Sequence, residues 1–180
     1  MKRSNISASM IAVAMMVLLP VGGAVADIGG QVMVRLNVES GCEINGKLAA
    51  NGNGNDFGML DFGRTSPTWT NVLTAQVATA GGGGLVVTCD ASVDEVAVSI
   101  DGGLSGSRKL SHINGGTIDY QVYRDAARSE VFVVDQQHSY RLAGGNAVPI
   151  PIYGAIPPFS GGAGKEKGLY TDVMTVTLSF

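Results

Sequence analysis

Few residues in this chain have the type and spacing that chemistry requires. Cys42 and Cys89 are the only cysteines, and His112 and His138 are the only histidines. A zinc site needs several Cys or His ligands close together, and neither histidine is near a cysteine in sequence. In an exported chain two cysteines favour a disulfide, which here closes a loop of about 48 residues and stabilises the fold by about 4 kcal/mol. We therefore expect a Cys42–Cys89 disulfide and neither a metal nor another cofactor.

The sequence also lacks the patterns that are typical of catalysis. The Gly81–Gly84 run is not followed by the Lys-Ser/Thr pair of a phosphate-binding loop, and no Gly-x-Ser-x-Gly elbow is present. Asp94 and Glu95 are adjacent, so on a strand they point to opposite faces and cannot flank one glycosidic bond. Both histidines lie in polar, turn-like segments, which predicts that they are on the surface. We predict that the protein is not an enzyme.

The first 26 residues resemble an export signal. Lys2-Arg3 precedes the apolar run Met10–Leu19, and the small-residue site Ala24-Val25-Ala26 follows. This order is typical of a secretory signal peptide, here cleaved after Ala26, and the apolar run is shorter than the ~20 residues of a membrane-spanning helix. We expect export to the periplasm without membrane insertion after cleavage.

Charge and composition limit the function further. The chain has 12 basic and 15 acidic side chains, and loss of the two basic ones in residues 1–26 changes its net charge from −3 to about −5. Without a basic cluster, the chain has no electrostatic basis for nucleic-acid binding. The 26 glycines favour a turn-rich β protein.

Residues 28–38 alternate between two kinds of side chain. Ile28, Val32, Val34, Leu36 and Val38 are at even positions, whereas Gln31, Arg35 and Asn37 are at odd positions. A period of two predicts a strand with one buried face. Because the next strong strand signal is more than 30 residues away, this strand has no hairpin partner close in sequence.

Further strand signals follow at short intervals and predict a β-sandwich of seven or eight strands. Pro149 and Pro151 place one of these strands at a sheet edge or beside a bulge, because proline cannot donate a ladder hydrogen bond. The polar stretch from Asn45 to Asp56 is expected to be a loop. In the last strand Met174, Val176, Leu178 and Phe180 share one face. The predicted strands are 72–79, 85–89, 95–100, 117–124, 131–134, 148–152 and 170–180.

Several longer segments resemble a known family. They are Gly30-Gln-Val-x-Val-x-Leu-Asn37, Phe57-Gly-Met-Leu-Asp-Phe-Gly63, Tyr120-Gln-Val-Tyr-Arg-Asp-Ala-Ala-Arg128 and Pro151-Ile-Tyr-Gly-Ala-Ile-Pro157. Together they resemble the spore coat protein U domain family and, more narrowly, the major pilin of Csu-type archaic chaperone–usher pili. The resemblance extends over residues 27–180.

This resemblance implies a pilin with an incomplete immunoglobulin-like β-sandwich that is completed by a donor strand from another chain. A periplasmic chaperone first lends a strand, and at the outer-membrane usher the extension of the next subunit replaces it. The implied organisation is a signal peptide at 1–26, a donor extension at 27–40 and a pilin domain at 41–180. The implied donor residues are Ile28, Gly30, Val32, Val34 and Leu36. The implied acceptor groove and chaperone-contact strand is lined by Met174, Val176, Leu178 and Phe180.

The expected function is that of a structural subunit, the major shaft-forming pilin of a surface pilus that supports adhesion and biofilm formation. Its partners are identical or homologous pilins, the chaperone and the usher. The alternative is a self-contained secreted β-sandwich, a binding or coat module, whose N-terminal strand completes its own fold. Removal of the N-terminal residues up to residue 40 distinguishes the two. The truncated self-contained module should unfold, whereas the truncated pilin should still fold when the chaperone supplies a strand.

Overall fold

The computed structural model of the chain describes residues 28–37, 41–49, 55–79, 81 and 83–180. The predicted signal peptide lies outside the described residues. The chain divides into two units, Met1–Asn37 and Val38–Phe180. The expected domain boundary after residue 40 stays a prediction.

All regular secondary structure among the described residues is β-strand. Each strand pair is antiparallel, which confirms the predicted all-β class. The strands are β1 (Cys42–Ile44), β2 (Lys47–Leu48), β3 (Leu73–Gln76), β4 (Leu85–Cys89), β5 (Glu95–Ile100), β6 (Lys109–His112), β7 (Thr117–Asp119), β8 (Gln121–Tyr123), β9 (His138–Arg141), β10 (Val148–Ile150), β11 (Tyr153–Ile156), β12 (Tyr170–Thr171) and β13 (Val176–Ser179).

The first layer of the sandwich consists of two ladders, β10-β4-β1-β2 and β3-β11-β8. Only Pro151 and Ile152 separate β10 from β11, and the Val77 N–H donates to the Ile152 carbonyl at 2.9 Å. The two ladders therefore continue each other. Their combined order is that of strands A, B, E and D of an immunoglobulin domain, with strands B and E each built from two segments.

The second layer consists of the ladders β13-β5-β9 and β12-β6-β7. β5 and β6 together occupy the position of immunoglobulin strand C, and β12 and β13 occupy that of strand F. In a complete immunoglobulin sheet strand G pairs with the outer side of F. Among the described residues no strand pairs with that side, so the sandwich is immunoglobulin-like but lacks strand G.

The core lies between the two layers. Its largest fully buried side chains come from alternate positions of β4 and β5, as the period-two pattern requires, from β8 and β10, and from Phe132 and Ile152 between strands. Phe132 is the largest of them, followed by Leu85, Ile100, Ile150, Ile152, Val87, Val96, Val98 and Val122.

Some predicted elements differ in detail. The loop predicted from Asn45 to Asp56 begins instead as a hairpin, because Asn45 and Gly46 have φ of 52° and 75°, the turn that joins β1 to β2. The strand predicted at 117–124 divides at Tyr120, where the chain passes from the second layer to the first. Of the segment 131–134, only Val131 forms a bridge, with Tyr123. β10 ends its ladder, so of the two positions that the prolines predict, an edge or beside a bulge, it has the edge position.

Candidate functional site

The candidate site is the outer edge of β12 and β13, the strand that the sequence predicts to accept a donor strand. In the described residues this edge has no partner strand. Among the described residues, β13 pairs only with β5, and β12 pairs only with β6. Residues 170–179 alternate between half-buried and exposed without interruption, so one pleated strand runs through both segments. Met174, Val176 and Leu178 are half-buried against the core, as the sequence predicts. Phe180 follows the end of β13 and is 62% exposed.

A cleft of about 640 Å³ opens beside the beginning of this strand. One wall is the segment 59–67, and the other is the segment 165–172 that leads into β12 and ends just after it. Apolar side chains from both layers of the sandwich form much of the lining between these walls: Trp69, Leu73, Leu110, Ile118 and Ile156. The cleft therefore exposes an apolar surface next to a strand that has a free edge.

The wall at 59–67 owes its shape to two short turns. Asp56 accepts a hydrogen bond from the Gly58 N–H at 2.9 Å, and Asp61 accepts one from the Gly63 N–H at 2.8 Å. Between these turns Leu60 and Phe62 lie over Gly154 of β11, where an added Cβ would be 2.7 Å from both side chains. Gly154 thus provides the space into which this wall packs.

Two carboxylates fix the middle of the strand, between β12 and β13. Asp172 accepts hydrogen bonds from the Leu104 N–H at 2.9 Å and from the buried Tyr120 hydroxyl at 2.7 Å. Burial, and then the bond to Asp172, raise the pKa of Tyr120 far above its usual range. The Asp101 carboxylate accepts the N–H groups of Gly103 and Thr175, both at 2.9 Å. The hydrogen bonds to these two carboxylates replace backbone ladder hydrogen bonds at the point where the residues between β5 and β6 leave the sheet.

The pKa of Asp101 reflects these contacts. Burial of the carboxyl raises its pKa, but the hydrogen bonds from Gly103 and Thr175, together with the positive charge of Arg108, lower the pKa by more. The net effect is a pKa below the usual value, so the Asp101 carboxylate is charged at neutral pH.

Sequence reasoning missed Arg108, which is only 2% exposed. Its guanidinium donates to the Phe132 carbonyl and the Gln121 side chain, with longer contacts of 3.5 Å to the carbonyls of Ile100 and Asp101. Burial lowers the pKa of Arg108, while the charges around it oppose that change. Arg108 thereby holds the end of β5, the strand to which β13 pairs.

The prediction that the histidines are on the surface was wrong for His112. Its ring is buried against Tyr170 of β12, with centroids 4.9 Å apart. An added Cβ on Gly168 would lie 2.1 Å from His112 Nε2, so glycine is required at that position. His112 pairs with Tyr170 across the ladder between β6 and β12, and this contact holds the beginning of β12 against the sheet. His138 is half-buried, with its ring edge-on to Phe132.

The predicted donor segment forms no strand in the described structure. Its even-numbered apolar side chains are open to solvent, with Ile28 98% and Val34 91% exposed, and Val32 and Leu36 are similar. An added Cβ on Gly30 would have no atom within 4 Å. A single segment without a ladder partner does not qualify as a strand, which explains the difference from the sequence prediction. Its role as a donor stays a prediction.

Cys42 of β1 and Cys89 of β4 form the predicted disulfide. They are directly opposite each other in the ladder, so the bridge joins neighbouring strands of the first layer. Within the described residues no three His, Cys, Asp or Glu side chains are grouped in a way that suits a metal ion. In the same residues we find no helix with the length and hydropathy to cross a membrane.

The family model for the Spore Coat Protein U domain matches residues 29–177. The chain belongs to the Spore Coat Protein U domain family. This confirms the resemblance seen in the sequence, and this family of pilin-like structural subunits is non-enzymatic. The match includes the exposed apolar segment as well as the sandwich.

Two solved structures are similar to this family member at low identity. One is the CsuC–CsuE chaperone–tip adhesion subunit pre-assembly complex from the archaic chaperone–usher Csu pili of Acinetobacter baumannii, with 15% identity and a TM-score of 0.47. That match covers 79% of this chain and only 40% of the other. The second is the P pilus rod subunit PapA, with 16% identity, a TM-score of 0.44, and coverage of 77% of this chain and 97% of the other. Comparison with curated proteins finds no match.

Proposed function

We propose that this chain is the repeating structural subunit of a surface pilus. In this proposal, residues 28–36 of one copy pair with the free edge of β12 and β13 in the next copy and supply the missing strand G. The observation that carries the proposal is the presence, in one chain, of a strand edge without a partner and an exposed segment with strand periodicity. Pairing of this kind is β-augmentation, in which main-chain hydrogen bonds give affinity and side-chain pockets give specificity.

The chemistry of the two surfaces supports this pairing. Donor side chains at even positions would face the half-buried Met174, Val176 and Leu178 and the apolar lining of the cleft. Gly30 interrupts this apolar row and needs no pocket. Burial of Ile28, Val32, Val34 and Leu36 contributes roughly 6–12 kcal/mol, at ~1.5–3 kcal/mol for each side chain, before the cost of ordering the segment. A fibre joined in this way resists dissociation.

The same free edge requires protection before assembly, because an unpaired apolar strand edge promotes aggregation. The resemblance to Csu-type pilins supplies the expected solution. A periplasmic chaperone occupies the edge after export, and the outer-membrane usher then exchanges it for the donor segment of another subunit. The subunit would thus act as the major, shaft-forming pilin, and adhesion and biofilm formation follow from the fibre that it builds.

The proposal is tested by placing a charge on the apolar face of the donor segment. Val34→Asp or Leu36→Asp should leave export and chaperone binding unchanged, because neither residue belongs to the sandwich. Each should abolish polymers, since burial of an unpaired carboxylate costs more than the lost side chain contributes. The measurement is negative-stain microscopy of cells that express the complete assembly system, together with subunit recovery from the periplasm.

The control is Arg35→Asp, which places the same carboxylate on the opposite face of the same segment and changes the net charge by two units rather than one, so it is the stricter test of charge alone. This variant should assemble, because odd-numbered side chains stay in solvent after pairing. Normal fibres from Val34→Asp and Leu36→Asp would contradict the proposal. If Arg35→Asp also fails to form fibres, the charge of the segment, rather than its buried face, controls assembly.

A further inference from the structure

Met33 is the apolar exception on the odd face of the donor segment. Its odd-numbered neighbours Gln31, Arg35 and Asn37 are polar, yet Met33 is apolar and 83% exposed. In a strand that pairs with β12 and β13, the even residues face the core and the odd residues face outward. The apolar surface of Met33 would then lie on the outer face of the sheet, where the proposed function gives it no role.

The outer face of the acceptor strand also has an apolar exception. Residues 171, 175, 177 and 179 on this face are Thr or Ser, whereas residue 173 is Val and is 65% exposed. Leu104 is beside it, because the N–H groups of Leu104 and Val173 both donate to the same Asp172 oxygen at 2.9 Å. Leu104 is also exposed. Leu104 and Val173 are thus exposed apolar residues at neighbouring backbone positions, and we call this pair the apolar row.

We propose that Met33 of one subunit packs beside Val173 of the next, extends this row, and so sets the register of strand exchange. The inference rests on the proposed function, because it requires the donor segment to pair with β12 and β13. A one-residue slip would turn the apolar face outward, so the competing registers differ by two or four residues. Those registers place Met33 beside a threonine or beside Leu169.

The lengths of the two strands support this register. With Met33 opposite Val173 in an antiparallel pair, Ile28 is opposite Leu178 and Leu36 is opposite Tyr170. The donor residues 28–36 then cover residues 170–178, which include β12 and nearly all of β13. A parallel pair centred on the same contact would instead cover 168–176. It would place Ile28 at Gly168, where the His112 ring fills the space, and would leave Leu178 uncovered.

Backbone geometry brings these two side chains close. The Thr175 carbonyl accepts the Asp101 N–H, so at this point the polar groups of odd residues face β5 and those of even residues face the free edge. Val173 and Met33 would therefore form a non-hydrogen-bonded pair, the kind in which opposite side chains are closer, with Cα atoms about 4.5 Å apart. Cysteines at two such positions are close enough to form a disulfide.

The test is disulfide trapping in assembled fibres. A chain that carries Met33→Cys and Val173→Cys should give covalent multimers on a non-reducing denaturing gel, and these should collapse to monomer on reduction. Met33→Cys combined with Leu169→Cys or with Thr177→Cys provides matched chains for the registers shifted by four residues in either direction. The single-cysteine chains control for exchange with the native Cys42–Cys89 disulfide. If a doubly substituted chain does not assemble, co-expressed Met33→Cys and Val173→Cys chains should give covalent dimers.

Multimers from the Val173→Cys pair alone support the inference. Fibres that are trapped only through Leu169→Cys or Thr177→Cys, or through no pair, overturn the register and leave the proposed function standing. Absence of fibres from the unsubstituted chain contradicts the proposed function itself.

As a second readout, Met33→Thr should assemble but dissociate roughly two- to fivefold faster in denaturant, as expected for loss of one apolar cross-strand pair. An unchanged dissociation rate counts against the contact.

Discussion

Arg108 links three parts of the sandwich through one buried guanidinium. Replacement by Met keeps the apolar volume but removes the donors to Phe132 and Gln121, and the Phe132 carbonyl is left buried without this donor. We expect Arg108→Met to lower the free energy of unfolding by about 3 kcal/mol, as for the loss of charge-assisted hydrogen bonds. Urea unfolding followed by Trp69 fluorescence measures this. Arg64→Met, at an exposed position, should change stability by less than about 0.5 kcal/mol. Equal effects would contradict the linking role of Arg108.

The Asp101 carboxylate makes stability depend on acid pH. Its pKa is lower in the folded chain than its ordinary value of 3.8, so the folded state binds this proton less readily than the unfolded state. The stabilisation is complete above that ordinary value and is lost as the pH falls through the lower folded-state pKa. Unfolding titrations between pH 6 and about 2.5 should therefore show a smaller acid-induced loss for Asp101→Asn than for the parent chain. A parallel loss in both proteins would refute this assignment.

Side-chain alternation allowed the prediction that Met174, Val176 and Leu178 share one face, and this face does pack against the core. Their role as acceptor residues stays a prediction. Arg108 was not predictable in the same way. It follows the Gly- and Ser-rich stretch 102–107, a composition typical of an exposed turn. Its own backbone has a φ of 54°, a conformation that residues other than glycine rarely adopt. Only the fold of this loop over the end of β5 buries it.

At the scale of elements, the wall of the cleft depends on one close approach. Gly58 has a φ of 102°, and an added Cβ would be 2.5 Å from the Ala78 carbonyl oxygen. Gly63, in the same wall, has a φ of 74° but no atom within 4 Å of an added Cβ. Gly63→Ala should cost about 1 kcal/mol from backbone strain alone, and Gly58→Ala should cost clearly more because the wall must also move.

Thermal unfolding of the two variants separates strain from contact. Since both substitutions place Ala at a positive φ, the difference in melting temperature reports the approach to Ala78. The variant Gly58→Ala should also weaken binding of the donor segment, whereas Gly63→Ala should not. Equal melting temperatures would mean that the wall tolerates displacement and does not define the cleft.

The sequence predicted an element well where its alternating residues are apolar and the strand stays in one layer. β5 matches its predicted bounds because Val96, Val98 and Ile100 face one core along its whole length. The segment 117–124 looked equally regular, but its two halves belong to different layers. Periodicity predicts that alternate residues are buried. It does not predict in which of the two layers the strand lies. β6 and β9 were missed because their sequences are largely polar.

At the scale of the whole molecule, the proposed donor and acceptor are different surfaces of one chain. An interface between unlike surfaces does not close on itself by twofold symmetry, so it produces open chains of subunits unless the rotation closes a ring. The family match includes both surfaces within one stretch of sequence. Composition and alternation indicated an unpaired strand and an all-β domain. The cleft and its two carboxylate contacts depend on residues far apart in sequence, so only the folded chain revealed them.

A head-to-tail polymer predicts where a defective subunit can stand in a fibre. A Val34→Asp subunit keeps its own β12 and β13 edge, so it can accept a donor segment but cannot donate one. Each fibre can therefore contain at most one such subunit, at the end where the donor segment is not used. Co-expression of the parent chain with increasing amounts of Val34→Asp, with the ratio of the two chains in purified fibres from mass spectrometry and fibre lengths from electron micrographs, measures this. Arg35→Asp in place of Val34→Asp should enter fibres in proportion to its expression. Several Val34→Asp copies per fibre would indicate that subunits associate through surfaces other than the donor segment.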